Sequence, residues 1–435
     1  MREPGIPANG LVNCAAAVVL VTTAYLSAVA RSDDDAVITI TLAGDVGLDR
    51  HAKRPGIRTL AEAFAPISHE INGDLNFINA ETVISDRDDL PAVPKGQRCP
   101  FYFRSEPRGF EYLVTRGINL LSLANNHAMD YGEAGLRDTL RSVKDMQALG
   151  LKAYAGAGLN REEASRPKRV RVKGALIAFG AIGIVGSGTI RQRAGNLNPG
   201  LVDIDSDDDF SLVLRRLMTA PADYRILSIH HGIEGRAVVD AEDIERWRRA
   251  AQEGGLHLIA GHHAHVARGV EVYKGAVIFY GLGNFLHHGT GDLTKLDRCH
   301  SFGFLARVHV RRGADGVWRT RAVEAIPVTD THIAPRRFAT ISESHTRIYV
   351  LNFLAQHLDD AASGAVGMRF TPQTDGTGLY CFPGAPSDGG RIGALCAGWQ
   401  PASPAPESVR TEIEHFCTVA LPHVYPSACP SATGR

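Results

Sequence analysis

The sequence predicts an α/β fold, and three observations carry that prediction. Short apolar runs recur along the chain, helical patterns separate several of them, and a carboxylate, amide or imidazole follows most of the runs. Runs at 37–42, 75–78, 118–123, 175–179, 225–229, 256–259 and 277–280 read as strands, and 302–310 alternates as a further one. Apolar runs of this kind suit strands buried on both faces. Helical patterns occupy 60–67, 109–116, 133–149, 210–218 and 241–253. In the third, Leu136, Leu140, Val143 and Leu149 share one face, and Gly150 supplies a stop. Strands alternating with helices imply a sheet covered by helices.

A chain of 435 residues suits one large domain with an extension. The domain is expected over 36–330. Residues 331–435 hold one convincing helix, at 342–361, and then turn rich in Gly, Pro, Ser and Cys, which predicts an irregular, disulfide-stapled extension. Apolar residues make up 44% of the chain, enough for a sizeable core. Lys plus Arg and Asp plus Glu both number 47, and this balance argues against a dedicated nucleic-acid protein, which needs a basic excess.

Residues 1–30 read as a targeting segment. A polar start precedes an apolar stretch at 11–30 that ends in the small-x-small pattern Ala28-Val29-Ala30. The expectation is export, with the segment either cleaved as a signal peptide or kept as a membrane anchor. The protein would then be periplasmic or extracellular, or anchored and facing outside. Outside Cys14 six cysteines remain: Cys99, Cys299, Cys381, Cys396, Cys417 and Cys429. An even number suits disulfides in an exported chain, with local pairing among the last four one arrangement of many.

In open α/β sheets ligands bind beyond the carboxyl ends of the strands. Asp45 follows the first run, Glu81 the second, and Asn125, Asn126, His127 and Asp130 the third. His230 and Glu234 follow the run at 225–229, His263 and His265 the run at 256–259, and Asn284 the run at 277–280. His263 and His265 are two apart, so an extended backbone would aim both rings the same way. A mixed carboxylate, amide and imidazole set suits a borderline divalent ion such as Mn, Zn or Fe.

The ordered set resembles the bacterial CapA (PgsA-like) capsule synthesis family, involved in poly-γ-glutamate production, within the calcineurin-like metallophosphoesterase superfamily. The matching stretches are Gly44-Asp45-Val46-Gly47-Leu48, Asn79-Ala80-Glu81, Leu123 to Gly132, His230-His231-Gly232-Ile233-Glu234, Gly261 to Val266 and Gly281-Leu282-Gly283-Asn284-Phe285. They span about 40–290. The resemblance implies a four-layer α/β/β/α sandwich and one or two divalent metal ions. Asp45 and His265 would hold the first ion, Asn126, His230 and His263 the second, and Glu81 would bridge. His127 would donate a proton to a leaving group, held by Asp130. Arg50, Asn125, Glu234 and Asn284 would contact substrate.

The chain also departs from the superfamily pattern. An Asp-x-His motif usually opens it, but Gly47 stands where that histidine belongs. One ligand of the first ion is therefore missing. Glu81 replaces an aspartate, and His231, Ala264 and Arg268 stand where relatives often carry Trp, Pro and Gln. The implied function is metal-dependent hydrolase chemistry on a phosphoester or anionic polymer, within capsule or envelope polymer synthesis and alongside a membrane-bound synthesis complex. The alternative is a non-catalytic binding or export component for such a polymer.

Overall fold

A computed structural model describes residues 37–48, 59–95, 100–185 and 192–418. The targeting segment, Arg50, Cys99 and Cys429 lie outside the described residues. Two sheets dominate. In the first, Ala153–Ala155, Leu120–Ser122, Leu75–Ala80 and Val37–Gly47 run parallel side by side. Gly303–Arg312, Trp318–Thr329 and Gly378–Cys381 continue it antiparallel. In the second sheet, Ala175–Gly183, Tyr224–His230, Leu258–His262 and Ala276–Phe279 are parallel neighbours. Lys168–Val172 flanks them on one side, and Val270–Tyr273 with Val366–Gly367 on the other.

Strand alternation sorts the side chains into layers. Ile38, Ile40 and Leu42 of the first sheet meet Ile177, Phe179, Ile226, Leu258 and Phe279 of the second in one buried core. Helices Leu60–Phe64, Pro107–Thr115 and Gly132–Asp145 cover the outer face of the first sheet with Phe64, Phe110, Leu113, Leu136 and Val143. Helices Asp207–Thr219 and Ala241–Glu253 cover the second with Phe210, Leu214, Leu217 and Trp247. This is the four-layer α/β/β/α sandwich that the family resemblance implied. Helix Asp207–Thr219 starts where the Ser206 hydroxyl accepts from the Asp209 amide at 3.4 Å, with Asp207, Asp208 and Asp209 in its first turn.

The C-terminal segment carries disulfides and also reaches into both sheets. Helix Ile341–Gln356 adds Ile348, Leu351 and Leu354 to the central core, and Gly378–Cys381 pairs with Trp318–Thr329. Cys381 pairs with the nearby Cys396, at a Cα separation of 6.0 Å. Cys417 does not pair locally. It bonds to Cys299, 118 residues earlier, because helix Glu407–Cys417 sets Ile413 and Cys417 into the central core beside it. Among the described residues no helix is long and apolar enough to cross a membrane.

Candidate metal centre

The carboxyl ends of the parallel strands in the two sheets meet at one edge. Strand Val37–Gly47 runs out of regular register around Asp45 against both Leu75–Ala80 and Asn284–His287. Such a bulge re-aims a side chain out of the pleat. Asp45 is fully buried. Its Oδ1 accepts from Asn79 Nδ2 at 2.8 Å and lies 3.3 Å from His262 Nδ1, and its Oδ2 accepts from the His263 amide at 3.2 Å and lies 3.6 Å from His265 Nδ1.

Glu81 sits between two groups of potential ligands. Its Oε1 lies 3.5 Å from His230 Nε2 and 3.8 Å from His265 Nε2, and its Oε2 lies 3.4 Å from His287 Nε2. Asp45, Glu81 and His265 offer atoms all within 4.8 Å of one another, and so do Glu81, His230 and His263. Asn126 joins the second group, with Oδ1 2.8 Å from His230 Nε2. The structure thus brings together the same two sets that the family resemblance implies.

The electrostatics fit a divalent ion. Both Glu81 carboxylate oxygens are buried without a hydrogen-bond partner, an arrangement that is costly in a protein interior. Burial, and then the charges of Asp45, Glu234 and Asp130, push its carboxyl well above the usual range. Burial would also raise Asp45, but the hydrogen bond and charge of His262 against its Oδ1 hold it low instead. Burial pushes His230 and His263 well below the usual imidazole range, leaving neutral rings of the kind that ligate metals.

The two candidate ligand histidines converge by a route other than strand alternation. Strand Leu258–His262 ends before them, and His263 and His265 adopt left-handed φ angles of 88° and 58°. Such a backbone costs of order 1–3 kcal/mol per residue and persists where the surroundings enforce it. His265 is steadied by Asn284, whose Oδ1 lies 2.8 Å from His265 Nδ1 and whose amide donates to Thr290 at 3.1 Å.

His127 is buried beside this edge. Its Nδ1 is 2.8 Å from Asp130 Oδ2 and 3.2 Å from Lys95 Nζ, and Lys95 forms an ion pair with Asp130. Phe103 covers the ring at a centroid distance of 4.1 Å, and its amide donates to Asp130 at 2.7 Å. Burial and the Lys95 charge lower His127, and Asp130 opposes them.

Two residues expected at the substrate are spent elsewhere. Asn125 is fully buried, donates to Ala80 O at 2.9 Å, and accepts from the His127 amide at 3.2 Å. It holds the loop that presents Asn126 and His127. Asn284 is likewise buried and orients His265. Glu234 is partly exposed and near enough for its charge to act on Glu81. Arg268, where relatives often carry Gln, is fully buried and donates to the Arg236 and Ile233 carbonyls at 2.8 Å each, so it braces the loop carrying Glu234. Sequence reasoning missed Lys95, Asn79, His262 and His287. Asn79 and His262 lie within the matched stretches without having been assigned a role, but nothing local marks Lys95.

The profile of the bacterial capsule synthesis protein PGA_cap matches residues 39–288, more than half of the chain. The chain belongs to this family. It is 26% identical over 268 residues to the capsule biosynthesis protein CapA of Bacillus anthracis, covering 59% of this chain and 62% of that protein. It is 27% identical over 263 residues to the PGA biosynthesis protein CapA of Bacillus subtilis, covering 59% and 65%. A probable polyglutamine synthesis accessory protein of Mycobacterium tuberculosis is 26% identical over 293 residues, covering 57% and 74%. The chain therefore spans under two thirds of the length of the two Bacillus relatives. Among solved structures it is similar to the calcineurin-like phosphoesterase YfkN of Bacillus subtilis, at a TM-score of 0.38 and 13% identity, covering 72% of this chain and 96% of that one. The PGA_cap segment encloses every described side chain of the candidate centre and stops one residue after His287. Helix Ile341–Gln356 and the two disulfides found among the described residues fall beyond it.

Proposed function

We propose that this capsule synthesis family member is an exported, metal-dependent hydrolase of a phosphoester or an anionic polymer such as poly-γ-glutamate. It would work outside the cytoplasmic membrane beside a membrane-bound synthesis complex. One observation carries the metal reading: Glu81 is a buried carboxylate with no hydrogen-bond partner, placed between Asp45 and His265 on one side and His230 and His263 on the other. Two ligand groups sharing one carboxylate suit a pair of divalent ions, with Mn, Zn or Fe the ions that match this donor set. Such ions supply Lewis-acid activation of water and of the scissile group.

The chain's own residues do the rest. Asn79 and Asn284 orient Asp45 and His265, and Asn125 sets the loop that presents Asn126 and His127. Asp130 holds His127 through Nδ1, so Nε2 is the ring nitrogen left to exchange a proton with a substrate. An anionic substrate opposite Nε2 would offset the burial and the Lys95 charge that lower this ring, coupling its protonation to occupancy. The disulfides Cys299–Cys417 and Cys381–Cys396 are in keeping with an oxidising compartment.

The test is metal analysis of the purified protein, followed by assays on phosphomonoesters, phosphodiesters and γ-glutamyl polymers with Mn, Zn or Fe supplied. Bound ion with turnover supports the proposal. Bound ion and polymer without turnover would leave the binding or export role, and no bound ion would end the metal reading.

A further inference from the structure

Gly47 stands where the superfamily pattern places a metal-binding histidine, which predicts a weakened first-ion site. The structure fills that gap from another strand. Val46 packs into the core on the outer face of the sheet, so a side chain at position 47 would point to the opposite side of the strand. That space holds the imidazole of His287. A Cβ on Gly47 would lie 2.8 Å from His287 Nε2, 2.9 Å from Cε1 and 3.2 Å from Cδ2. The two residues are register partners, because strand Asn284–His287 runs parallel to the end of Val37–Gly47. The absence of a side chain at position 47 leaves the room that the His287 ring fills.

His287 also has the marks of a ligand. It is fully buried, and neither ring nitrogen has a hydrogen-bond partner. Its Nε2 points at Glu81 Oε2 from 3.4 Å, and its ring centroid lies 5.5 Å from that of His265. Phe103 packs edge-on against it at 5.0 Å, which would stabilise any ring there but satisfies neither nitrogen. His262 is a weaker candidate, since its ring packs on Phe77 at 5.3 Å and its Nδ1 faces Asp45 rather than Glu81.

We propose that His287 is the imidazole ligand of the ion held by Asp45, Glu81 and His265, replacing the histidine absent from position 47. This rests on the metal reading above. The ligand is supplied from the adjacent parallel strand instead of from two residues along the first one. The first-ion site then has a second imidazole beside Glu81, and the chain can hold two ions.

The experiment titrates the full, metal-stripped chain with Co²⁺ alone, reading stoichiometry by elemental analysis and coordination by visible absorption. Wild type is expected to bind two ions per chain. His287→Phe, which preserves ring packing, is expected to bind one tightly, with the other weakened by more than the roughly 10–100-fold that losing a hydrogen-bonded support of a ligand costs. Its absorption should lose the component of the weakened site. The double variant Gly47→His with His287→Gly moves the imidazole back to the first strand and should restore the second ion. Melting in chelator checks folding, and His287→Gln replaces His287→Phe if the latter melts early. Two ions retained at wild-type affinity in the His287 variants would overturn the ligand role while leaving the metal reading intact. A wild type that binds no ion would overturn both.

Discussion

Asn79 donates its side-chain amide to Asp45 Oδ1 at 2.8 Å, and the same nitrogen lies 3.1 Å from His230 Nδ1. One neutral residue therefore touches one member of each ligand group. Asn79→Leu should keep the fold, because the site is enclosed by core on both sheets, but should free both neighbours. The expected outcome is a loss of metal affinity of roughly 10–100-fold, as for other supports of metal ligands. Competition against a chelator of known affinity measures it, and unchanged affinity would refute the orienting role.

His127 separates catalysis from binding. It touches Asp130 and Lys95 and belongs to neither ligand group. His127→Gln should leave metal content unchanged. If the protein turns over a phosphoester or polymer, the variant should lose about 10²–10⁴-fold in kcat, the range of a missing proton donor. Equal turnover in the two proteins would remove His127 from the mechanism.

Away from the site, Asp209 ties two arginines to the start of helix Asp207–Thr219. Its carboxylate accepts from Arg161 Nε at 2.6 Å and from Arg193 Nε at 2.6 Å. Burial pushes this carboxyl up, but the bonds from Arg193 and Arg161 outweigh it and hold the group below the usual aspartate value. A carboxyl lowered on folding stabilises the fold above its unfolded value, and that contribution fades as pH falls through the folded value. Asp209→Asn should therefore cost about 2 kcal/mol near neutral pH, the scale of a hydrogen bond to a charged group. Chemical denaturation at several pH values should show the gap closing in acid. A gap that widens in acid would contradict the assignment.

The Cys299–Cys417 bond closes a loop of 118 residues and pins helix Glu407–Cys417 to the domain. By the chain-entropy account a loop of that length contributes roughly 4–5 kcal/mol. Cys417→Ser should lower Tm markedly. Cys396→Ser, which opens a loop of only 15 residues, should lower it less. Differential scanning calorimetry of the two variants gives the order, and a reversed order would show that strain or packing outweighs loop entropy.

Sequence alone determined the α/β class, the strand ends that carry Asp45, Glu81, Asn126, His230, His263 and His265, and the edge where they gather. It could do so because each candidate ligand lies within a few residues of an apolar run, and runs with their trailing residues are local patterns. Helix Ala241–Glu253 was legible for the same reason. Tertiary structure alone decided what each polar side chain does there. Asn125 and Asn284 are consumed by backbone and side-chain hydrogen bonds, His263 and His265 converge through left-handed backbone, and Lys95 meets Asp130 from a loop with no motif. Cys417 reaches Cys299, and His287 reaches the space beside Gly47, 240 residues earlier in the chain. Pairing of strands far apart in sequence places such residues side by side, and hydrogen-bond satisfaction depends on that full three-dimensional neighbourhood.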